Sequence, residues 1–174
     1  MVETKIDTEG GKPLIVASMF GNTTTCVNEA KAVLEDAGFE VLVFHATGSG
    51  GQAMESLIES GMVSAVLDVT TTEWADEVVG ATLSAGPTRM DAMTKAKVPA
   101  VIAPGCVDMA NFGARDTVPE AFEGRNFYIH NPQVTLMRTN AEECAEIGKA
   151  IANKANANTA PVAILNPLKA VSEI

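Results

Sequence analysis

Apolar residues in this chain come in short, nearly continuous runs separated by segments patterned at helical spacing. Residues 13–19 (PLIVASM) form the first run; 39–45, 63–69, 98–103, 126–130 and 161–165 follow. Between the first two, Val27, Ala30, Lys31 and Leu34 recur at the period of a helix, with Lys31 at its edge, and Gly38 supplies the stop. A second helix is predicted over 52–60, closed by Gly61. Trp74, Val78, Val79 and Leu83 mark a third, which the stretch 85–87 interrupts before another near 89–96. Asn140 followed by Glu143 reads as a capping box opening a helix over 141–154.

Strand runs alternating with helices predict βαβ units and a parallel sheet. The runs are rich in Val, Ile, Leu and Ala on both alternating positions, as in strands covered on both faces. The expected architecture is therefore a three-layer α/β domain, Rossmann-like or flavodoxin-like, with a mainly parallel sheet of about six strands. Residues 1–12 read as a polar lead and 13–174 as one domain. No helical pattern follows the last run, so a partner surface or a further segment of a longer chain is expected to cover it.

Composition narrows the partners. The 174 residues are 47% hydrophobic and 20% charged, and the formal net charge is −10. No Lys or Arg cluster offsets that charge, which argues against nucleic acid and anionic membranes as partners. Cys26, Cys106 and Cys144 are too scattered for a disulfide framework, and Cys144 reads as helix core; buried small hydrophobes are the expectation for the other two. The polar start has no secretory apolar segment and no apolar run approaches a membrane span, so a cytoplasmic protein is expected.

Open parallel sheets bind ligands beyond the carboxyl ends of their strands. The residues that follow each run are therefore the candidate site. After the first come Gly21, Asn22, Thr23 and Thr24; after the second, His45 and then Thr47, Gly48, Ser49, Gly50 and Gly51; after the third, Asp68, then Thr70, Thr71, Thr72 and Glu73. The fourth contributes Gly105, Asp108 and Asn111, and the fifth His130 and Asn131; Arg138 follows further on. Residues 47–51 lie between a strand and a helix, where glycines admit close backbone approach and free amides attract an anion. They match neither a P-loop nor a dinucleotide fingerprint. A small phosphorylated ligand is the leading expectation, with residues 21–24 and 47–51 as its cradle; the alternative for 47–51 is a turn that needs glycine for geometry alone. His45 with Asp68 or Asp108 is the candidate acid–base set, since a histidine titrates near neutrality and a carboxylate can orient its ring. Arg138 suits clamping a carboxylate or phosphate, or neutralising nearby acids. The histidines and aspartates lack metal-ligand spacing, and no metal is expected. A pure interaction module, in which the loops pack against a partner, is a third reading.

Several of these strings occur together in one order: SMFGNTT at 18–24, FHATGSGG at 44–51, LDVTTTE at 67–73, SAGP at 84–87, DMANFG at 108–113 with RDT at 115–117, HNP at 130–132 and TLMRT at 135–139. Over nearly its whole length the chain resembles an uncharacterised protein family that includes the tomato mosaic virus resistance protein. The resemblance implies a two-domain protein of which this chain is the second domain, with a companion domain or subunit as partner and ATP or another nucleotide as cofactor. It also implies a continuation beyond residue 165. No reaction follows from it; the plant member acts by binding a viral replication protein. A homo-oligomer is expected.

Overall fold

The alternation of apolar runs and helical patterns translates directly into the element order. The computed structural model describes residues 11–172: β1 (Leu14–Met19), a 3-10 turn (Gly21–Thr23), α1 (Thr24–Asp36), β2 (Glu40–His45), α2 (Ser49–Glu59), β3 (Val63–Thr70), α3 (Glu73–Val79), α4 (Asp91–Ala96) and β4 (Ala100–Gly105). Then follow β5 (Met109–Phe112), two short 3-10 turns, β6 (Phe127–Asn131), β7 (Val134–Arg138), α5 (Ala141–Ala157) and β8 (Val162–Ile164). The first ten residues of the expected polar lead lie outside the described residues.

The fold is α/β with Rossmann-like layering. Five strands pair in parallel in the order β2-β1-β3-β4-β8. Alternation along them sorts side chains to two faces. Ile15 and Ala17 of β1 pack with Val41 of β2 and Val27 of α1 on one face. Val16, Val66 and Ile102 face the other, where Met54 and Ile58 of α2, Trp74 of α3, Met93 of α4 and Ile147 and Ile151 of α5 complete the larger core. The helix stops fall where glycine predicts: Gly38 and Gly61 both adopt positive φ. Asn140 and Glu143 form the capping box, exchanging bonds of 2.8 Å each way.

Three expectations are corrected. The sheet has five parallel strands rather than six: residues 126–130 become β6 of a separate antiparallel sheet, in the order β5-β7-β6. The cause is a tight reversal after Asn131, whose side chain accepts from the Gln133 amide at 2.8 Å, and a connection that short joins only antiparallel strands. β5 lies inside what reads as a loop. Second, α3 ends before Leu83, because Gly80 takes the left-handed conformation and caps it. Third, Cys26 and Cys144 are exposed; only Cys106 is buried. Among the described residues no helix is long and apolar enough to cross a membrane.

Candidate functional site

The antiparallel sheet stands beside the carboxyl ends of β1 and β2, and a cavity of about 590 Å³ lies between them. From the parallel sheet come Phe20, Gly21 and Asn22 after β1, and His45 and Thr47 at the end of β2. Leu83 enters after α3. Met109 and Asn111 of β5, Tyr128, His130 and Asn131 of β6, and Val134 and Leu136 of β7 close the opposite side. Strand alternation explains this choice: odd positions of β5 and even positions of β7 face the cavity, while Ala110, Phe112 and Met137 turn away into a small apolar core.

The lining combines rings with amide side chains. Phe20 and His45 stack with centroids 5.3 Å apart and planes 18° from parallel. Tyr128 and His130 meet at 6.5 Å in a tilted arrangement. Asn22, Asn111 and Asn131 supply hydrogen-bonding capacity, and the lining contains no Lys, Arg, Asp or Glu. Asn111 is 2% exposed, and its Oδ1 has no hydrogen-bond partner among the described residues.

Asp76 sets the cavity floor from behind. Its Oδ1 accepts from the Asn111 amide at 2.9 Å and from Asn111 Nδ2 at 3.0 Å, while its Oδ2 accepts from the Leu83 amide at 2.6 Å. Burial pushes this carboxyl up to about 6, against the three donors that favour its charged form. The folded chain therefore holds a proton on Asp76 between its unfolded value of 3.8 and about 6. Stability from this group is complete below 3.8 and is lost as pH rises through about 6. The difference amounts to about 3 kcal/mol at pH 7. Urea titrations at pH 5 and pH 7.5 should show the part of this fall that lies above pH 5, about 1.4 kcal/mol, and Asp76→Asn should remove most of it; an equal slope in the variant refutes the assignment.

A second polar cluster lies deeper, at the end of β3. Arg89, 2% exposed, donates to both oxygens of Asp68 at 2.8 Å, to Glu73 at 2.7 Å and to Glu55 at 3.3 Å. Burial alone would draw its guanidinium down, but Asp68 foremost, with Glu73 and Glu55, holds it above its ordinary value. Burial raises Glu55 and Glu73 in spite of Arg89. Glu55 also accepts from the amides of Met90 and Ala92, tying down the start of α4.

Placement separates the sequence-derived candidates into two groups. Gly21, Asn22, His45, Thr47, Asn111, His130 and Asn131 share the cavity. The remainder are bound within the protein. Gly48 and Gly51 amides donate to Glu73 Oε1 at 2.7 and 3.0 Å, so the anion at the start of α2 is the protein's own carboxylate and the expected cradle at 47–51 is already filled there. Ser49 and Gly50 belong to the same turn of α2, and Gly50 is required by the close approach of the His45 carbonyl. Thr23 bonds Thr70, Thr24 the Phe20 carbonyl, Thr71 the Ala103 carbonyl, and Thr72 accepts from Asn111. Gly105 packs against the Val69 carbonyl. The acid–base pairing is not formed: Asp68 is held by Arg89 and Ser18, and Asp108 by Arg138 and Ser172, away from the cavity. Arg138 accordingly neutralises an internal acid. Among the described residues no group of three or more His, Cys, Asp or Glu is arranged for a metal ion.

Sequence reasoning missed Leu83 after α3 and Met109, Tyr128, Val134 and Leu136 in the strands as lining, because such side chains carry no chemical signature until the partner sheet is known. It also missed Arg89, Glu55 and Asp76. A single arginine between Pro87 and a helix, in a chain with few cations, was the available signal.

An open parallel sheet of order β2-β1-β3-β4-β8, with a cavity over the ends of β1 and β2, defines the class: an α/β domain with Rossmann-like layering. The chain belongs to the family described as "Uncharacterised protein family (UPF0261) C-terminal domain", which matches residues 12–174. It is 58% identical over 166 residues to a UPF0261 protein of Clostridium tetani, covering 95% of this chain and 41% of that one. A UPF0261 protein of Rhizobium meliloti is 47% identical over 174 residues, 100% and 44% of the two chains. The ToMV resistance protein Tm-1(GCR237) of Solanum lycopersicum is 45% identical over 164 residues, 94% and 22%. The chain thus spans less than half the length of these relatives.

Proposed function

We propose that this domain binds a nucleotide-class small molecule through its ring, in the cavity between the strand ends and the antiparallel sheet. The observation that supports this is the lining: stacked Phe20 and His45, the Tyr128 ring, apolar Met109 and Leu136, and three asparagines. Flat heteroaromatic rings with polar edges suit such walls, since aromatic faces stack and amide side chains satisfy ring donors and acceptors. The phosphate end contributes little in this reading, because the lining has no Lys or Arg and the α2 amides of Gly48 and Gly51 hold Glu73.

A thermal-shift panel tests it. Nucleosides and nucleotides at ~100 times their Kd should add about 2.7 kcal/mol of stability, a rise of roughly 5–10 °C in midpoint. Each nucleoside should bind within roughly tenfold of its own mono- and triphosphate, a difference of about 1.4 kcal/mol. Ribose 5-phosphate should give no shift. Tyr128→Ala should weaken ring binding by roughly twofold to tenfold, the worth of one aromatic contact. Shifts with sugar phosphates but not nucleosides, or no shift with any ring compound, defeat the reading.

A further inference from the structure

Parallel sheets occur with helices on both faces. Here one face is covered by α2, α3, α4 and α5. Among the described residues the other carries only α1, whose Val27 and Leu34 pack over the side of β1 and β2. Ala65, Leu67 and Val69 of β3 pack at the edge of that cluster and are only partly buried, as is Val101 of β4. Ala163 of β8 is exposed, as is Leu165 just past it, at 56%. The register sets Leu67 beside Val101 and Val101 beside Ala163, so these side chains form one row across three strands. The Leu165 amide continues that ladder by donating to the Ile102 carbonyl at 2.8 Å. None of these strip residues is charged. Three strands spaced about 4.8 Å apart are about 10 Å wide from first to last, the diameter of one helix.

We infer that this strip over β3, β4 and β8 is the seat of one amphipathic helix supplied by the part of the longer family chain that lies outside these residues. Two observations select that occupant. First, parallel sheets carry helices on both faces, and here the face over β3, β4 and β8 lacks the helical layer that α2 to α5 give the opposite one, so its missing cover is a helix lying beside α1. Second, this chain spans only 41% and 44% of its bacterial relatives, which leaves ample chain to provide it. Residues 166–172 run on past the carboxyl end of β4, where the Cys106 amide donates to the Val171 carbonyl at 2.8 Å and Ser172 Oγ reaches Asp108 at 2.8 Å.

Side-chain carbene footprinting reads the cover directly, on the 174-residue chain and on the full-length Clostridium tetani relative. Peptides carrying Leu67, Val101 and Leu165 should label heavily in the short chain, and their equivalents should lose most of that label in the long one. Equal labelling of both overturns the inference. So does protection in the short chain that grows with its concentration, which would give the strip to a second copy. Val101→Glu supplies an independent readout. In the short chain it should move the midpoint by less than about 2 °C, as surface changes do. At the aligned position of the long chain it should lower it by roughly 5–10 °C, because the carboxylate is then buried without a partner. Equally small shifts in both chains overturn the inference.

Discussion

Replacing Arg89 with methionine is expected to cost about 3–5 kcal/mol of stability near neutral pH, the range for removing one partner of a buried ionic cluster. The cost does not arise from the lost pair alone. Asp68, Glu73 and Glu55 all surround this one guanidinium, and Asp68 and Glu73 are each 1% exposed. Without the cation, the desolvation of these carboxylates is opposed only by hydroxyl and amide donors, and Glu73 and Glu55, which burial already raises, must rise further above their unfolded values. Such groups stabilise below their unfolded pKa and lose that contribution as pH climbs through the folded value. The deficit of Arg89→Met should therefore shrink at pH 5 and widen at pH 8. Arg89→Lys should fall between the two, since an ammonium cannot reproduce the two-pronged contact with Asp68. Urea denaturation at both pH values checks this. A cost below about 1 kcal/mol, typical of an exposed pair, would show that the cluster contributes only what surface ions do.

The architecture was largely legible because its signals are local. Strand runs, glycine stops and the Asn140–Glu143 cap each depend on residues within a few positions of one another. What escaped depends on distant partners. Residues 126–130 have a strand's composition whichever sheet they join; only the reversal at Asn131 decides that they pair with β7. The same limit divides the site. Listing strand-end residues collected His45, Asn111, His130 and Asn131, which do converge on one cavity. It could not separate them from Asp68, Glu73 and Thr70, which sit at equivalent places but turn inward. Nor could it foresee that an α2 start rich in glycine and open to an anion would receive one from α3 of the same chain. Glu73 joins the two halves of that arrangement: Oε1 takes the Gly48 and Gly51 amides, and Oε2 takes Arg89. The cluster thereby fixes the helix that begins immediately after the cavity wall at His45 and Thr47.

Gly50→Ala is the sharpest test of that local geometry, because two principles give it opposite signs. Alanine is the better helix former by about 1 kcal/mol, and Gly50 lies in the first turn of α2, so propensity alone predicts stabilisation. Packing predicts the reverse. A Cβ at residue 50 would stand 1.7 Å from the His45 carbonyl oxygen and 2.8 Å from its carbon, and both are backbone atoms at the end of β2 that no rotamer change can move. Either β2 or the start of α2 must shift, and the shift breaks the Gly48 and Gly51 bonds to Glu73. A loss of about 2–4 kcal/mol is expected, in the upper range for single substitutions. Gly148→Ala is the control. It lies inside α5 with nothing within 4 Å of its would-be Cβ, and it should gain about 0.5–1 kcal/mol. Thermal melts of both variants decide between propensity and contact. If Gly50→Ala stabilises as Gly148→Ala does, the close seat of α2 on His45 is not maintained in solution. If it destabilises while ring binding in the cavity persists, the glycines of residues 48–51 are there to let the protein's own backbone and carboxylate approach, not to hold a ligand.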